Sequence, residues 1–153
     1  MKTYLVVTLT CPDRPGIVDR VTEVISGFSA NWEESRMARL GGDFAGIVRV
    51  SVSAEKAEAL AAALWALDDD QMRVVVKYTG PDGAAIEPGQ RLYELRLSGA
   101  DHEGIVHSVS RYLAGRGINV ETMETEVVPA PVSASPLFHM QARIKARGEL
   151  AFA

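Results

Sequence analysis

Asp13-Arg14-Pro15-Gly16-Ile17-Val18 returns later in the chain as Asp101-His102-Glu103-Gly104-Ile105-Val106, a shift of 88 residues. Carried outward without a gap from Tyr4 to Arg36, the same shift sets nine residues against identical ones. Leu9, Asp13, Gly16, Ile17, Val18, Val21, Gly27, Asn31 and Glu33 meet Leu97, Asp101, Gly104, Ile105, Val106, Val109, Gly115, Asn119 and Glu121. Average composition would give about two such matches over that length. The chain is therefore an internal duplication, and each copy is read as one folding unit.

Both copies open with a strand. Leu5, Val7 and Leu9 alternate with Tyr4, Val6 and Thr8, and Tyr93, Leu95 and Leu97 alternate with Glu94 and Arg96. Period-two alternation marks a sheet with one buried face. Ile17, Val21, Ile25 and Phe28 then recur at helical spacing, as do Ile105, Val109 and Leu113. Asp13 and Asp101 are expected to be the N-caps, with Pro15 tolerated in the first turn. Gly27 and Gly115 are expected to supply the left-handed residue at the helix ends.

In the first copy, residues 31–40 and 44–53 predict a hairpin around Gly41-Gly42-Asp43. A second helix over residues 54–67 places Ala57, Leu60, Ala61, Leu64 and Leu67 on one face, and residues 72–78 close the unit as a β-branched strand. The order is βαββαβ, an α+β, ferredoxin-like arrangement of an antiparallel sheet with both helices on one face. The Gly- and Pro-rich stretch 80–90 is the expected linker between a first domain at 1–79 and a second at 91–153. The second copy repeats βαββ, with a longer loop over residues 129–136, and ends without its last helix and strand. Each large apolar side chain left wet on such a face forfeits about 1.5–3 kcal/mol. The expectation is that the first domain or another subunit covers it.

Bulk properties narrow the class. The chain has 153 residues, 47% hydrophobic and 24% charged, which suits a folded protein. A formal net charge of -4 argues against direct nucleic-acid binding, which rests on neutralised phosphates. Cys11 is the only cysteine, so no intrachain disulfide forms and a reducing, cytoplasmic setting is expected. No signal peptide is legible at the start, and the longest apolar run, residues 59–67, is too short to span a bilayer.

Chemistry concentrates at the strand-to-helix junction Cys11 to Val18. Gly16 permits close approach to a helix start, where unpaired N–H groups and the positive dipole end favour a carboxylate. Asn31, opening the next strand, offers both a donor and an acceptor. An amino acid suits such a site; the alternative is that Asp13 is a cap, Gly16 a packing glycine and Asn31 a turn residue. Cys11, near a helix N-terminus, is either a thiol of lowered pKa or a small loop residue. His102 and His107 are five apart and do not share a helix face, so no metal site is read there. Asp68-Asp69-Asp70 is read as a solvated turn, and Trp32 as a residue of either a subunit interface or the core.

The βαββαβ order with Asp13-Arg14-Pro15-Gly16-Ile17-Val18 and Ala30-Asn31-Trp32 resembles the ACT-domain family. Tandem copies with Glu34-Ser35-Arg36-Met37-Ala38-Arg39-Leu40-Gly41-Gly42-Asp43-Phe44 resemble its branch of glycine cleavage system repressors. The resemblance implies domains that pair side by side, a small amino acid such as glycine or serine held between two domains, and action through contact with a transcription factor. The implied ligand contacts are Cys11, Asp13, Arg14, Gly16, Ile17 and Asn31 in the first copy. In the second they are Gly99, Asp101, Gly104, Ile105 and Asn119, although His102-Glu103 replaces Arg14-Pro15 there.

No assembled nucleophile and base, paired carboxylates, metal set or phosphate loop is present, so a regulator rather than an enzyme is expected, with no cofactor and a homo-oligomeric state. Two other classes stay open at this point. One is a ligand-free ACT interaction module. The other is an RNA-binding βαββαβ domain using Phe44 or Phe138 with Arg143, Lys145 and Arg147.

Overall fold

The computed structural model describes residues 1–81, 87–132 and 135–148; part of the expected linker (82–86), two residues of the long loop (133–134) and residues 149–153 lie outside the described residues. The chain divides into two compact units, residues 1–83 and 84–153.

The first unit runs β1 (Lys2–Pro12), α1 (Ile17–Gly27), β2 (Asn31–Leu40), β3 (Asp43–Ser53), α2 (Ala54–Trp65) and β4 (Arg73–Thr79). Its antiparallel sheet has the order β2-β3-β1-β4. The alternation read from β1 is realised: Leu5, Val7 and Leu9 join Val48, Val50, Val52, Val74 and Val76 in the core. Ile17, Val21 and Ile25 of α1 and Ala57, Leu60, Ala61 and Leu64 of α2 close over the same face. The second unit runs β5 (Gln90–Ala100), α3 (Ile105–Gly115), β6 (Asn119–Val128) and β7 (Leu137–Arg147), with the sheet order β5-β7-β6. Its core is thinner: Leu113 and Ile118 pack with Ala142, Ile144 and Ala146.

The duplication extends to single hydrogen bonds. The Asp13 N–H donates to Gly42 O at 2.9 Å, and the Asp101 N–H to Pro136 O at 3.0 Å. Both second strands carry a bulge at the same place, between Trp32 and Glu34 and between Val120 and Thr122. The bulged glutamates face inward-lying polar groups: Ser51 Oγ donates to Glu33, and Lys145 Nζ lies 3.3 Å from Glu121. Gly46 leaves room that Met37 fills, since a Cβ there would meet Met37 Cγ at 2.5 Å. In the second unit the matching cross-strand pair is Met140 with Thr125, the bulk having changed sides.

Two expectations about the helix ends are corrected. The N-caps are Gly16 and Gly104, at φ 90° and 83°, not Asp13 and Asp101. A left-handed φ favours glycine, so the chain turns into each helix three residues after the aspartate. At the other end, Gly27 and Gly115 are the last helical residues, and the left-handed positions are Ser29 (φ 55°) and Gly117 (φ 66°). Both ends form a Schellman motif. The Ser29 N–H donates to Ser26 O and the Ala30 N–H to Ile25 O; Gly117 and Ile118 repeat this on Ala114 and Leu113. The acidic turn after α2 is more structured than a solvated loop. Asp69 Oδ1 accepts from the Gln71 and Met72 N–H groups, and Asp68 Oδ1 from Val74 N–H.

Two outcomes follow. Ser29→Gly removes a left-handed non-glycine residue and should stabilise the first unit by about 1 kcal/mol. Trp32 and Trp65 both lie in that unit, so the urea midpoint by tryptophan fluorescence reads the change; an unchanged or lower midpoint contradicts it. The second concerns Asp69, whose carboxyl is held below its ordinary value by the Met72 and Gln71 N–H groups. A depressed carboxylate stabilises above its unfolded pKa and loses that contribution as pH falls through the folded value. The gap between wild type and Asp69→Ala should be full at neutral pH and close below about pH 4; a gap that ignores pH contradicts it.

Candidate functional site

The strand-to-helix junction of the first unit lies at one end of its sheet. Cys11 pairs with Phe44, and Phe44 with Arg39, so the ends of β1 and β2 flank the start of β3 there. Asp13, Arg14, Pro15 and Gly16 are exposed, and Gly16 presents the first turn of α1 to solvent. The unpaired N–H groups of a helix start carry a partial positive charge and accept an anion. Asp13 Oδ2 lies 3.8 Å from Arg39 Nε, an exposed contact that orients the carboxylate toward the end of β2. The sequence reading missed Arg39, because 26 residues separate it from Asp13 and only the β2–β3 hairpin brings it back.

Cys11 and Ile17 point into the core, so a ligand can meet them only through their backbone. Burial pushes the Cys11 thiol above its ordinary pKa, and nearby Arg14 counters this only in part. Cys11 is neither a thiol of lowered pKa nor a loop residue: it belongs to β1, with its side chain on the Leu5, Val7 and Leu9 face, away from water.

Asn31 is exposed but lies at the other end of the same sheet. It pairs with Ser51, which pairs with Tyr4, seven positions before Cys11 on β1. At about 3.3 Å per residue, roughly 23 Å separates the two ends. The second unit repeats the separation. Asn119 pairs with Lys145 and thence Leu92, whereas Asp101 and Gly104 follow Gly99 and Ala100 at the far end of β5. The structure therefore gathers Asp13, Arg14 and Gly16, and likewise Asp101 and Gly104, but sets each Asn apart from its own loop.

Of the cations read for an RNA surface, Arg143 is exposed, while Lys145 and Arg147 are paired. Lys145 is buried against Glu121, Arg147 Nη2 lies 2.9 Å from Glu87, and Arg49 stacks 4.5 Å over the Tyr4 ring. Trp32 packs against the first core, with its Nε1–H donating to Ser35 Oγ at 3.0 Å. Among the described residues no cluster of three His, Cys, Asp or Glu side chains could hold a metal, and no helix is long and apolar enough to cross a membrane.

Residues 3–77 match the family model described as ACT domain. The glycine cleavage system transcriptional repressor of Escherichia coli (strain K12) is 46% identical over 50 residues, which is 33% of this chain and 26% of that relative. The Shigella flexneri protein of the same description matches equally. The matched segment thus spans about a quarter of these curated relatives. Among solved structures, an unknown protein from Galdieria sulphuraria is 37% identical, with a TM-score of 0.83 over 96% of this chain and 84% of that one. A candidate glycine cleavage system transcriptional repressor has a TM-score of 0.69 at 20% identity, over 99% of this chain and 84% of the other, and so shares the fold.

The buried thiol gives a direct check. Cys11 should resist alkylation by iodoacetamide at neutral pH in the native protein and react once urea unfolds it. Native-state labelling at the rate of a free thiol contradicts this placement.

Proposed function

The chain belongs to the ACT-domain family through its first unit, and from that premise we propose that it is a cytoplasmic, amino-acid-responsive regulator and not an enzyme. It binds a small amino acid, glycine or serine foremost, between two domains, and acts through contact with a transcription factor in the manner of a glycine cleavage system repressor. One observation carries the reading: the Asp13–Gly16 loop and Asn31 lie at opposite ends of one sheet. No single domain can close both on a ligand only a few ångströms long.

Two copies can. β2 is a free edge of the first sheet. Pairing two β2 strands antiparallel about Ser35 sets Glu34 against Arg36 of the partner subunit. The Asn31 end of one strand then lies beside the Arg39–Leu40 end of the other, next to the partner's Asp13 loop. Cross-strand pairs of opposite charge favour that register. The ligand carboxylate meets the N–H groups at the start of α1, while Asp13 and the Asn31 carboxamide oxygen receive its ammonium. A net charge of -4 fits a regulator that reaches DNA only through a protein partner.

A thermal-shift screen of the twenty amino acids tests this. A ligand at a hundred times its Kd adds about 2.7 kcal/mol of stability. The expected result is a shift with glycine or serine that disappears in Asn31→Ala and in Asp13→Ala. A well-folded protein that shifts with none of the twenty is a ligand-free interaction module, and the sensor reading fails.

A further inference from the structure

The duplication inverts the charge of one helix face. Asp19 and Glu23 of α1 stand where α3 has His107 and Arg111, at the same shift of 88 residues. The backbone around them is unchanged: the Thr22 hydroxyl donates to Asp19 O at 2.9 Å, and the Ser110 hydroxyl to His107 O at 3.0 Å. All four side chains are exposed, and none makes an ion pair among the described residues. Residues one helical turn apart share a face. In α1 that face lies opposite Ile17, Val21 and Ile25, which fill the core, so it points straight away from the sheet. α3 turns Leu113 to its own core, with Ile105 and Val109 half-buried, and presents His107 and Arg111 on the opposite side.

We propose that α1 of one copy of this chain packs face to face and antiparallel on α3 of a second copy. Asp19 then meets Arg111 of the partner subunit, and Glu23 meets His107 of the partner subunit. The guanidinium gives the aspartate a charge-assisted contact, and the imidazole offers the glutamate an N–H in either protonation state. One turn to either side, the same faces carry Gly16 and Ser26 on α1 and Gly104 and Ala114 on α3. Such small residues let the two backbones approach to about 8 Å, the short end of helix-packing distances. The antiparallel sense follows from the macrodipoles, which oppose two helices laid parallel.

Charge excludes the pairing of like faces. α1 against a second α1 opposes carboxylates to carboxylates, and α3 against a second α3 opposes basic groups to basic groups. The contact stacks helix on helix and leaves the β2 edge free. None of the four side chains is a proposed ligand contact, so either reading can fail without the other.

The test is a charge reversal read by sedimentation of the full chain at fixed concentration. One variant carries Asp19→Arg with Glu23→Arg, and the other carries His107→Glu with Arg111→Glu. Arginine and glutamate are strong helix formers at exposed positions, so both variants keep the fold. Either alone sets like charges across the contact and should lower the assembly mass at least twofold. An equimolar mixture should regain the wild-type mass. There the reversed α1 of one variant meets the reversed α3 of the other, and the two unchanged helices meet as in wild type. A wild-type mass that survives both reversals, or a mixture that stays as small as its components, overturns the proposal.

Discussion

An α-helix that returns along the strand before it carries the chain back to where that strand began. Here α1, eleven residues long, runs back beside the eleven-residue β1 and delivers Asn31 next to the β1 start, opposite Ser51 and Tyr4. The loop that launches the helix stays behind at the other end, tied to the hairpin by the Asp13–Gly42 hydrogen bond. Every later feature of the site inherits that separation. The loop at the start of α1 and Asn31 are displayed by one domain but lie too far apart for it to close both on one small ligand. The second unit has the same βαββ path and the same separation between Asp101 and Asn119.

What duplication does is let the two units diverge around a shared frame. The Schellman end, the β2 bulge and the hairpin clasp persist in both. Packing has moved within that frame: Gly46 beside Met37 has become Met140 beside Thr125, and the buried Ser51 held by Glu33 has become Lys145 held by Glu121. A buried lysine is costly without a partner, so the glutamate at the bulge is as necessary in the second unit as in the first. In the first unit α2 and β4 cover the β1 half of the sheet.

Much of this was legible in the sequence because it rests on periodicity. The alternation of Leu5, Val7 and Leu9, the helical spacing of Ile17, Val21 and Ile25, and the repeat at 88 residues all describe faces, and faces are local. Turn geometry was less so. Asp13 reads as a cap by residue preference, yet Gly16 holds the left-handed position, because the clasp to Gly42 fixes where the chain can turn. Ser29 carries no sequence mark of a left-handed residue; only its equivalence to Gly117 could have given it. The Cys11 error was avoidable, since its odd number places it with Leu5, Val7 and Leu9 on the buried face. Asp13's contact with Arg39 was not readable, because it depends on hairpin register and not on spacing along the chain.

The central claim is that one ligand is held by the loop of one domain and the asparagine of another, supplied by a second chain. Mixing Asn31→Ala with Asp13→Ala tests it most directly, with binding of the responding amino acid measured by calorimetry. Each variant alone should bind nothing. In a mixed dimer one site combines both lesions and the other combines two intact halves, so an equimolar mixture should recover about a quarter of the wild-type sites. A mixture that binds no more than either variant alone would contradict a site shared between chains.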